Sequence, residues 1–219
     1  MNHRSQQVLE HSLNRLAILG ASGHGKVVAE AALLSGWKSV VFFDDAWPRV
    51  SGNGPWEVLG TKHEMIERLN QFDCAAVAIG DNATRIRVHQ ELVEAGFKMP
   101  AIVHPAAIVS AYAEIGDGSV IAAGAMLNPF SRLGRSTIIN TGASIDHDCR
   151  IADGVHVSPG AHLGGGVSVG YTTWIGIGSI VKHGISIGEK VVVGAGSVVV
   201  NDITDGLTVI GVPARPAPF

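Results

Sequence analysis

The chain has 219 residues, of which only 16% are charged while 28 are glycine, and its formal net charge is −3. Ordinary soluble chains carry about 25% charged residues and roughly 7% glycine. This is therefore an aliphatic, glycine-rich globular sequence, with no basic face of the kind that nucleic-acid binding requires. The longest apolar stretch, Val191 to Val200, is interrupted by glycine and has about half the length that crosses a bilayer, so no membrane span is expected.

The first sixteen residues lack the apolar core of a signal peptide. The two cysteines, Cys74 and Cys149, give neither a disulfide framework nor a metal-ligand pair. Both features fit a cytoplasmic location. Leu16–Leu19, Ser39–Phe43 and Ala75–Ile79 read as strands, and Lys26–Ser35, Lys62–Asn70 and Ala83–Ala95 have helical periodicity. The alternation predicts a small Rossmann-like α/β domain over residues 1–100, a parallel sheet with crossover helices. Ligands of such sheets bind beyond the carboxyl ends of the strands, which here carry Gly20-Ala-Ser-Gly-His-Gly25, Asp44-Asp45 and Gly80-Asp-Asn82. Val27 stands where a P-loop needs Ser or Thr, and Ala21-Ser22 interrupts the dinucleotide fingerprint. What remains is either a turn that needs glycine or a helix-opening loop whose free N–H groups suit a diphosphate. Residues 46–56 are expected to form a loop over that site.

From Val103 onward the pattern changes. Every sixth residue through Val199 is aliphatic, a run of 17 without insertion. The residue two before is usually small, as at Ala125, Ala143 and Cys149, and the residue after is often Gly or Asn. A period of six fits neither a helix nor a flat strand; it fits a solenoid of short faces and corners. The large residue points inward, the small one lets faces meet, and Gly or Asn after it is expected to take the corner dihedrals. Three faces make a coil of 18 residues, stacked at about 4.8 Å. The pattern resembles the hexapeptide repeat of left-handed β-helices, a fold expected here over residues 101–219.

A bare solenoid needs no imidazole. Coils of 18 place His147, Gly165 and His183 in one column and Ile138, His156 and Trp174 in another. His162 and His183 read as surface bystanders. His147 lies between Asp146 and Asp148, and a carboxylate can fix its tautomer and raise its basicity. Such a group can take a proton from an amine or hydroxyl at neutral pH, and Gly165 in its column leaves room for a substrate. A zinc site of histidines is disfavoured because His156 and His162 fall a whole hexad apart.

The markers Gly20–Gly25, Phe43-Asp-Asp45, Ile79-Gly-Asp-Asn82, Ile145-Asp-His-Asp-Cys149, His156-Val-Ser-Pro-Gly-Ala161 and Ile210-Gly-Val-Pro-Ala-Arg215 together resemble the bacterial sugar O- and N-acyltransferases of left-handed β-helix type. Within that family the likeness is strongest to the N-acetyltransferases of UDP-4-amino-4,6-dideoxy-N-acetylhexosamines in bacillosamine biosynthesis. The resemblance implies acetyl-CoA as co-substrate, no metal, and a homotrimer with sites between subunits. By resemblance His147 is the general base, Asp148 (often Glu in relatives) raises its basicity, and Asn140 lies near the acceptor amine. His156 contacts acetyl-CoA near its thioester, Gly165, Ile177 and Ala195 line the pantetheine channel, and Arg215 lies near the CoA phosphates. Ser22, Gly23 and His24 contact the UDP-sugar, Asp44 and Asp45 read uracil and ribose, and Gly80 flanks the nucleotide. The alternatives are O-acetylation of sialic acid or another sugar, N-acetylation of a GDP- or dTDP-linked amino sugar, and a non-catalytic trimeric scaffold binding a nucleotide sugar.

Overall fold

The computed structural model describes residues 15–218. Nearly all of the segment read above for a signal peptide lies outside those residues. In chain order the first part runs β1 (Arg15–Leu19), α1 (Gly23–Leu34), β2 (Ser39–Phe43), a hairpin of β3 (Gly52–Asn53) and β4 (Trp56–Glu57), α2 (Lys62–Glu67), β5 (Cys74–Val77) and α3 (Asn82–Glu94). The main sheet is β2-β1-β5, all parallel. Alternate residues of β1 serve two cores. Leu16 and Ile18 pack with Val28, Ala29 and Phe42 on the α1 side. Ala17 and Leu19 pack with Met65, Val88 and Leu92 of α2 and α3. A strand buried on both faces reads as a continuous apolar run.

Two element boundaries differ from the periodicity. Helix α1 starts at Gly23 rather than Lys26, so part of the glycine loop is its first turn, with Ser22 as N-cap. Helix α2 stops at Glu67 and is followed by a 3₁₀ turn, Leu69–Gln71. Its start is fixed by a capping box between Thr61 and Glu64. The loop expected over residues 46–56 contains the hairpin, whose Trp56 packs on Phe42 with ring centroids 5.9 Å apart.

The remainder is a parallel β-solenoid consistent with the left-handed β-helix that the hexads predict. Two-residue strands form three parallel sheets. A first face carries Ile138–Ile139, His156–Val157 and Trp174–Ile175 in register. A second carries Met126–Leu127, Ser144–Ile145 and His162–Leu163, and a third Arg132–Leu133, Arg150–Ile151 and Ser168–Val169. Each partner lies one 18-residue coil further on, and the hexad aliphatics from Ile121 to Val199 are buried in one continuous core.

The corners work differently from the expectation. Left-handed φ falls three residues after each inward aliphatic from Ile115 to Val193, for example at Gly142 (65°) and Asp148 (60°). The glycine directly after the aliphatic is required for closeness instead: a Cβ on Gly176 would lie 2.5 Å from the Val193 carbonyl oxygen of the next coil. The small residue two before the aliphatic spans the coils, as where Ser179 Oγ donates to the Gly194 carbonyl at 2.9 Å. Cys149 does the same with Gly164 at 3.3 Å. It is buried, and burial raises its thiol pKa, as suits a packing residue.

Candidate active site

The loop after β1 is held from three sides. The Gly20 amide donates to the Phe43 carbonyl (2.8 Å), the Ala21 amide donates to Asp44 Oδ2 (2.8 Å), and Asn53 Nδ2 donates to the Ser22 carbonyl (3.1 Å). Two glycines are needed by the chain itself. A Cβ on Gly20 would sit 2.7 Å from the Ala78 oxygen, and one on Gly25 would sit 2.4 Å from the Gly20 oxygen. A Cβ on Gly23 or Gly80 would meet nothing within 4 Å, so their backbones face open space at the carboxyl end of the sheet. The Ser22 hydroxyl caps no amide of α1, leaving the helix N-terminus open to an anion. Asp44 spends its second oxygen on the Ala46 amide (2.9 Å), so both are committed to holding loops. Asp45 Oδ1 accepts from the Lys62 amide (2.9 Å).

His24 and His156 bring the two parts of the chain together. Burial, and then the Arg85 guanidinium, push the His24 pKa down to about 4. The same two causes in the same order, with His24 third, push His156 to about 3. Both imidazoles are thus neutral at physiological pH. Asn140 sets the His156 tautomer. The Thr141 amide donates to Asn140 Oδ1 (2.8 Å), which turns Asn140 Nδ2 toward His156 Nε2 at 3.1 Å. An amide N–H there needs a lone pair, so the His156 proton resides on Nδ1. The His156 ring stacks on Trp174, with centroids 5.6 Å apart, and Trp174 Nε1 donates to Ser158 Oγ (2.7 Å).

His147 occupies the corner between the second and third faces. Its Nδ1 donates to Asp148 Oδ2 at 2.7 Å, so the shorter acid reaches the ring. Asp148 adopts left-handed φ, a conformation Asp tolerates better than most residues. Asp146 Oδ1 accepts from the His147 amide and from Asn128 Nδ2, each at 2.8 Å. The hydrogen bond to Asp148, and next the charge of Asp146, raise the His147 pKa above its ordinary value. With Nδ1 engaged, Nε2 holds the free lone pair, and it faces Gly165: a Cβ there would lie 2.5 Å from Nε2. The His147 side chain is 60% exposed. This is an exposed, carboxylate-oriented imidazole with its basic nitrogen pointed at a gap.

Within one chain the predicted residues of the coil form two groups. His147, Asp148 and Gly165 share the corner between the second and third faces. Asn140, Ile177 and Ala195 occupy the corner between the first and second faces, where Asn140 reaches His156 on the first. One full face separates the two groups. Ile177 is 61% exposed, an apolar side chain left largely uncovered by the described residues. Arg215 lies beyond the last coil, in a short strand paired antiparallel to Thr208–Ile210. Sequence reasoning missed Asn53 and Arg85, and gave Asn82 no role beyond its place in the Gly80-Asp-Asn82 motif. Among the described residues no group of three or more His, Cys, Asp or Glu could hold a metal ion, and no helix is long and apolar enough to cross a membrane.

An α/β domain with an open glycine loop, joined to a hexapeptide-repeat β-helix with a carboxylate-oriented corner imidazole, is the architecture of the β-helix acyltransferases. The PglD N-terminal domain family matches residues 15–92, and the hexapeptide repeat of succinyl-transferase matches residues 166–200. The acetyltransferase domain of PglB from Neisseria gonorrhoeae superposes with a TM-score of 0.88 at 42% identity, covering 93% of this chain and 99% of that one. The same domain has been solved with acetyl coenzyme A. PerB from Caulobacter crescentus, solved with CoA and GDP-perosamine, superposes at 0.87 with 39% identity, covering 92% and 96%. UDP-N-acetylbacillosamine N-acetyltransferase of Bacillus subtilis (strain 168) is 38% identical over 113 residues, 51% of this chain and only 52% of that protein. The match thus spans about half the length of that curated relative. The chain belongs to the bacterial sugar O- and N-acyltransferases of β-helix type, with a PglD-type N-terminal domain.

Proposed function

We propose that the chain is an acetyl-CoA-dependent N-acetyltransferase acting on the 4-amino group of a UDP-linked 4-amino-4,6-dideoxy sugar. The observation that carries this reading is His147, whose Nδ1 is held by Asp148 while Nε2 faces the space left by Gly165. The relatives fit: one is named for UDP-N-acetylbacillosamine and another was solved with acetyl coenzyme A.

Acetyl-CoA supplies the acyl group. As the acceptor nitrogen bonds to the acyl carbon, His147 Nε2 takes the proton that nitrogen must lose. Asp148 stabilises the resulting imidazolium. The carbon–sulfur bond then breaks, and His147 returns the proton to the departing thiolate, leaving amide, free CoA thiol and neutral imidazole. Neither cysteine takes part. The open N-terminus of α1 and the Ser22, Gly23, His24 and Gly80 backbone hold the diphosphate, with Asp44 and Asp45 bounding the nucleoside. Gly165, Ile177 and Ala195 line the pantetheine path, His156 and Asn140 lie beside the acyl and amine ends, and Arg215 lies toward the CoA phosphates.

The working unit in this reading is a homotrimer in the cytoplasm. The base and the Asn140–Ile177 corner meet only if the corner of one copy docks against the other corner of the next. On the first face the outward residues of the early coils, Ile102 and Val120, are covered by the N-terminal domain, while Trp174 and Val192 further along are exposed. Those of the third face are Glu114, Arg132, Arg150 and two serines. The second face presents Ile108, Met126 and Ile180, all exposed, and is the face suited to another copy.

A GDP-linked 4-amino sugar is the second reading, favoured by PerB and its GDP-perosamine at 39% identity. The test is thiol release from acetyl-CoA with UDP-, GDP- and dTDP-linked 4-amino sugars and free sialic acid, for the native chain and His147→Ala. Turnover on the UDP-linked sugar, lowered at least about 10²-fold by the substitution with an unchanged melting temperature, is expected. Turnover only on the GDP-linked sugar would select the second reading. Turnover only on sialic acid, or none, would overturn both.

A further inference from the structure

Arg85 sits in the first turns of α3 and is 1% exposed. A guanidinium has five N–H donors in a fixed fork, and here all five are used on neutral oxygens. Nε donates to the Ser136 carbonyl (2.9 Å). Nη1 donates to the carbonyls of Ile79 (3.1 Å) and Gly80 (3.0 Å). Nη2 donates to Asn82 Oδ1 and the Gly154 carbonyl, both at 2.8 Å. Because Asn82 Oδ1 accepts from Arg85, its Nδ2 is turned toward the carbonyls of Thr172 (3.0 Å) and Thr173 (3.2 Å). Ser136, Gly154 and Thr172 are the same corner residue of three successive coils, all at left-handed φ of 56°, 69° and 54°. The start of α3 therefore grips three coils at once.

A buried cation without a bonded carboxylate is costly, and apolar packing would hold a helix on a solenoid at lower cost. Burial indeed lowers the Arg85 pKa to about 10, with the Asp81 carboxylate opposing. What apolar packing cannot supply is the fork, which ties one point of the Gly80 loop to fixed carbonyls of the coil. Resting on the acetyltransferase reading above, we propose that Arg85 is a positioning residue: with Asn82 it fixes the register between the nucleotide-sugar loop at Gly80 and the β-helix. It thereby sets where the acceptor amine is presented.

Arg85→Lys keeps a cation and most of the volume but loses the fork. The residues assigned to acetyl-CoA lie mainly on the coil, so its calorimetric affinity is expected to stay within about twofold. The acceptor kcat/KM is expected to fall tenfold or more, since a shift of about 1 Å can cost roughly 10²-fold. Asn82→Ala, a milder change, is expected to move the same parameter in the same direction. Wild-type kcat and acceptor KM in both folded variants would overturn the proposal, even with a lowered melting temperature. Equal losses of acceptor turnover and acetyl-CoA affinity would also overturn it. If the native chain turns over no acceptor, the acetyltransferase reading fails and hydrogen exchange decides separately. Faster exchange confined to amides 80–86 of Arg85→Lys supports the clamp, and unchanged exchange there refutes it.

Discussion

Gly165→Ala tests the base with a single methyl group. The added Cβ would lie 2.5 Å from His147 Nε2 and 2.6 Å from Cε1. Ordinary nonbonded contact is about 3.5 Å, so the ring must retreat by roughly 1 Å. Its other side is tied to Asp148 at 2.7 Å, so the retreat strains or breaks that hydrogen bond. A displacement of about 1 Å costs on the order of 10²-fold in rate when it misaligns the reacting groups. The fold should be indifferent: Gly165 does not have a left-handed φ, and the only contacts of the added carbon within 3.1 Å are with the exposed imidazole. The assay is steady-state CoA thiol release alongside thermal unfolding. The expected result is kcat/KM down about 10²-fold with the melting temperature held. Full activity in Gly165→Ala would refute the assignment of Nε2 as the proton acceptor, and loss of folding would refute the packing argument.

Asp148→Asn should change the pH profile with a defined sign. A base at His147 works as the neutral imidazole, and the hydrogen bond to Asp148 chiefly raises its pKa, so native kcat/KM is expected to fall as pH drops through that raised value; in the variant the limb should move to lower pH, with a lower plateau. Ile180→Glu places a charge on the second face, one strand from its C-terminal edge, where Ile180 is exposed in the single chain. Sedimentation is expected to show a trimer for the native chain and a monomer for the variant, with thiol release lost although His147 and Asp148 are untouched. A monomeric variant with native activity would show that one chain holds a complete site.

The solenoid is legible in the sequence because it is one-dimensional: each inward position repeats the same test every six residues, and a constant 18-residue coil converts spacing directly into adjacency. That is why the columns His147–Gly165 and Ile138–His156–Trp174 follow from spacing alone. The corner position is harder to read because glycine fills two hexad positions for different reasons. Of the fourteen left-handed corners from Gly118 to Gly196, nine are glycine and five are Phe130, Ser136, Asp148, Thr172 and Lys190, which blurs the true position. Arg85, Asn82 and Asn53 leave little trace because their partners are backbone carbonyls, 51 residues away for Arg85 to Ser136 and 90 for Asn82 to Thr172. A carbonyl has no side-chain identity to read. One signal is present: Asn82, Arg85 and His89 fall with Ile86 and Leu92 on the buried stripe of α3, where polar residues at apolar positions indicate specific partners.

The separation of the two residue groups bears on how such a site can be both accessible and effective. A lone His147–Asp148 pair at 60% and 62% exposure is screened by water and salt, so its electrostatic influence on a reacting amine is weak. Covering that corner with the Ile177 corner of a second copy would lower the local dielectric around the same pair and strengthen it. In the proposed reading the substrate diphosphate would stay anchored to the N-terminal domain. In that reading the hydrophobic core is complete in the single chain and the reaction centre is what a second copy would complete. On this view the exposed Ile108, Met126 and Ile180 stripe and the exposed base have one cause, a reaction centre completed by assembly rather than by folding.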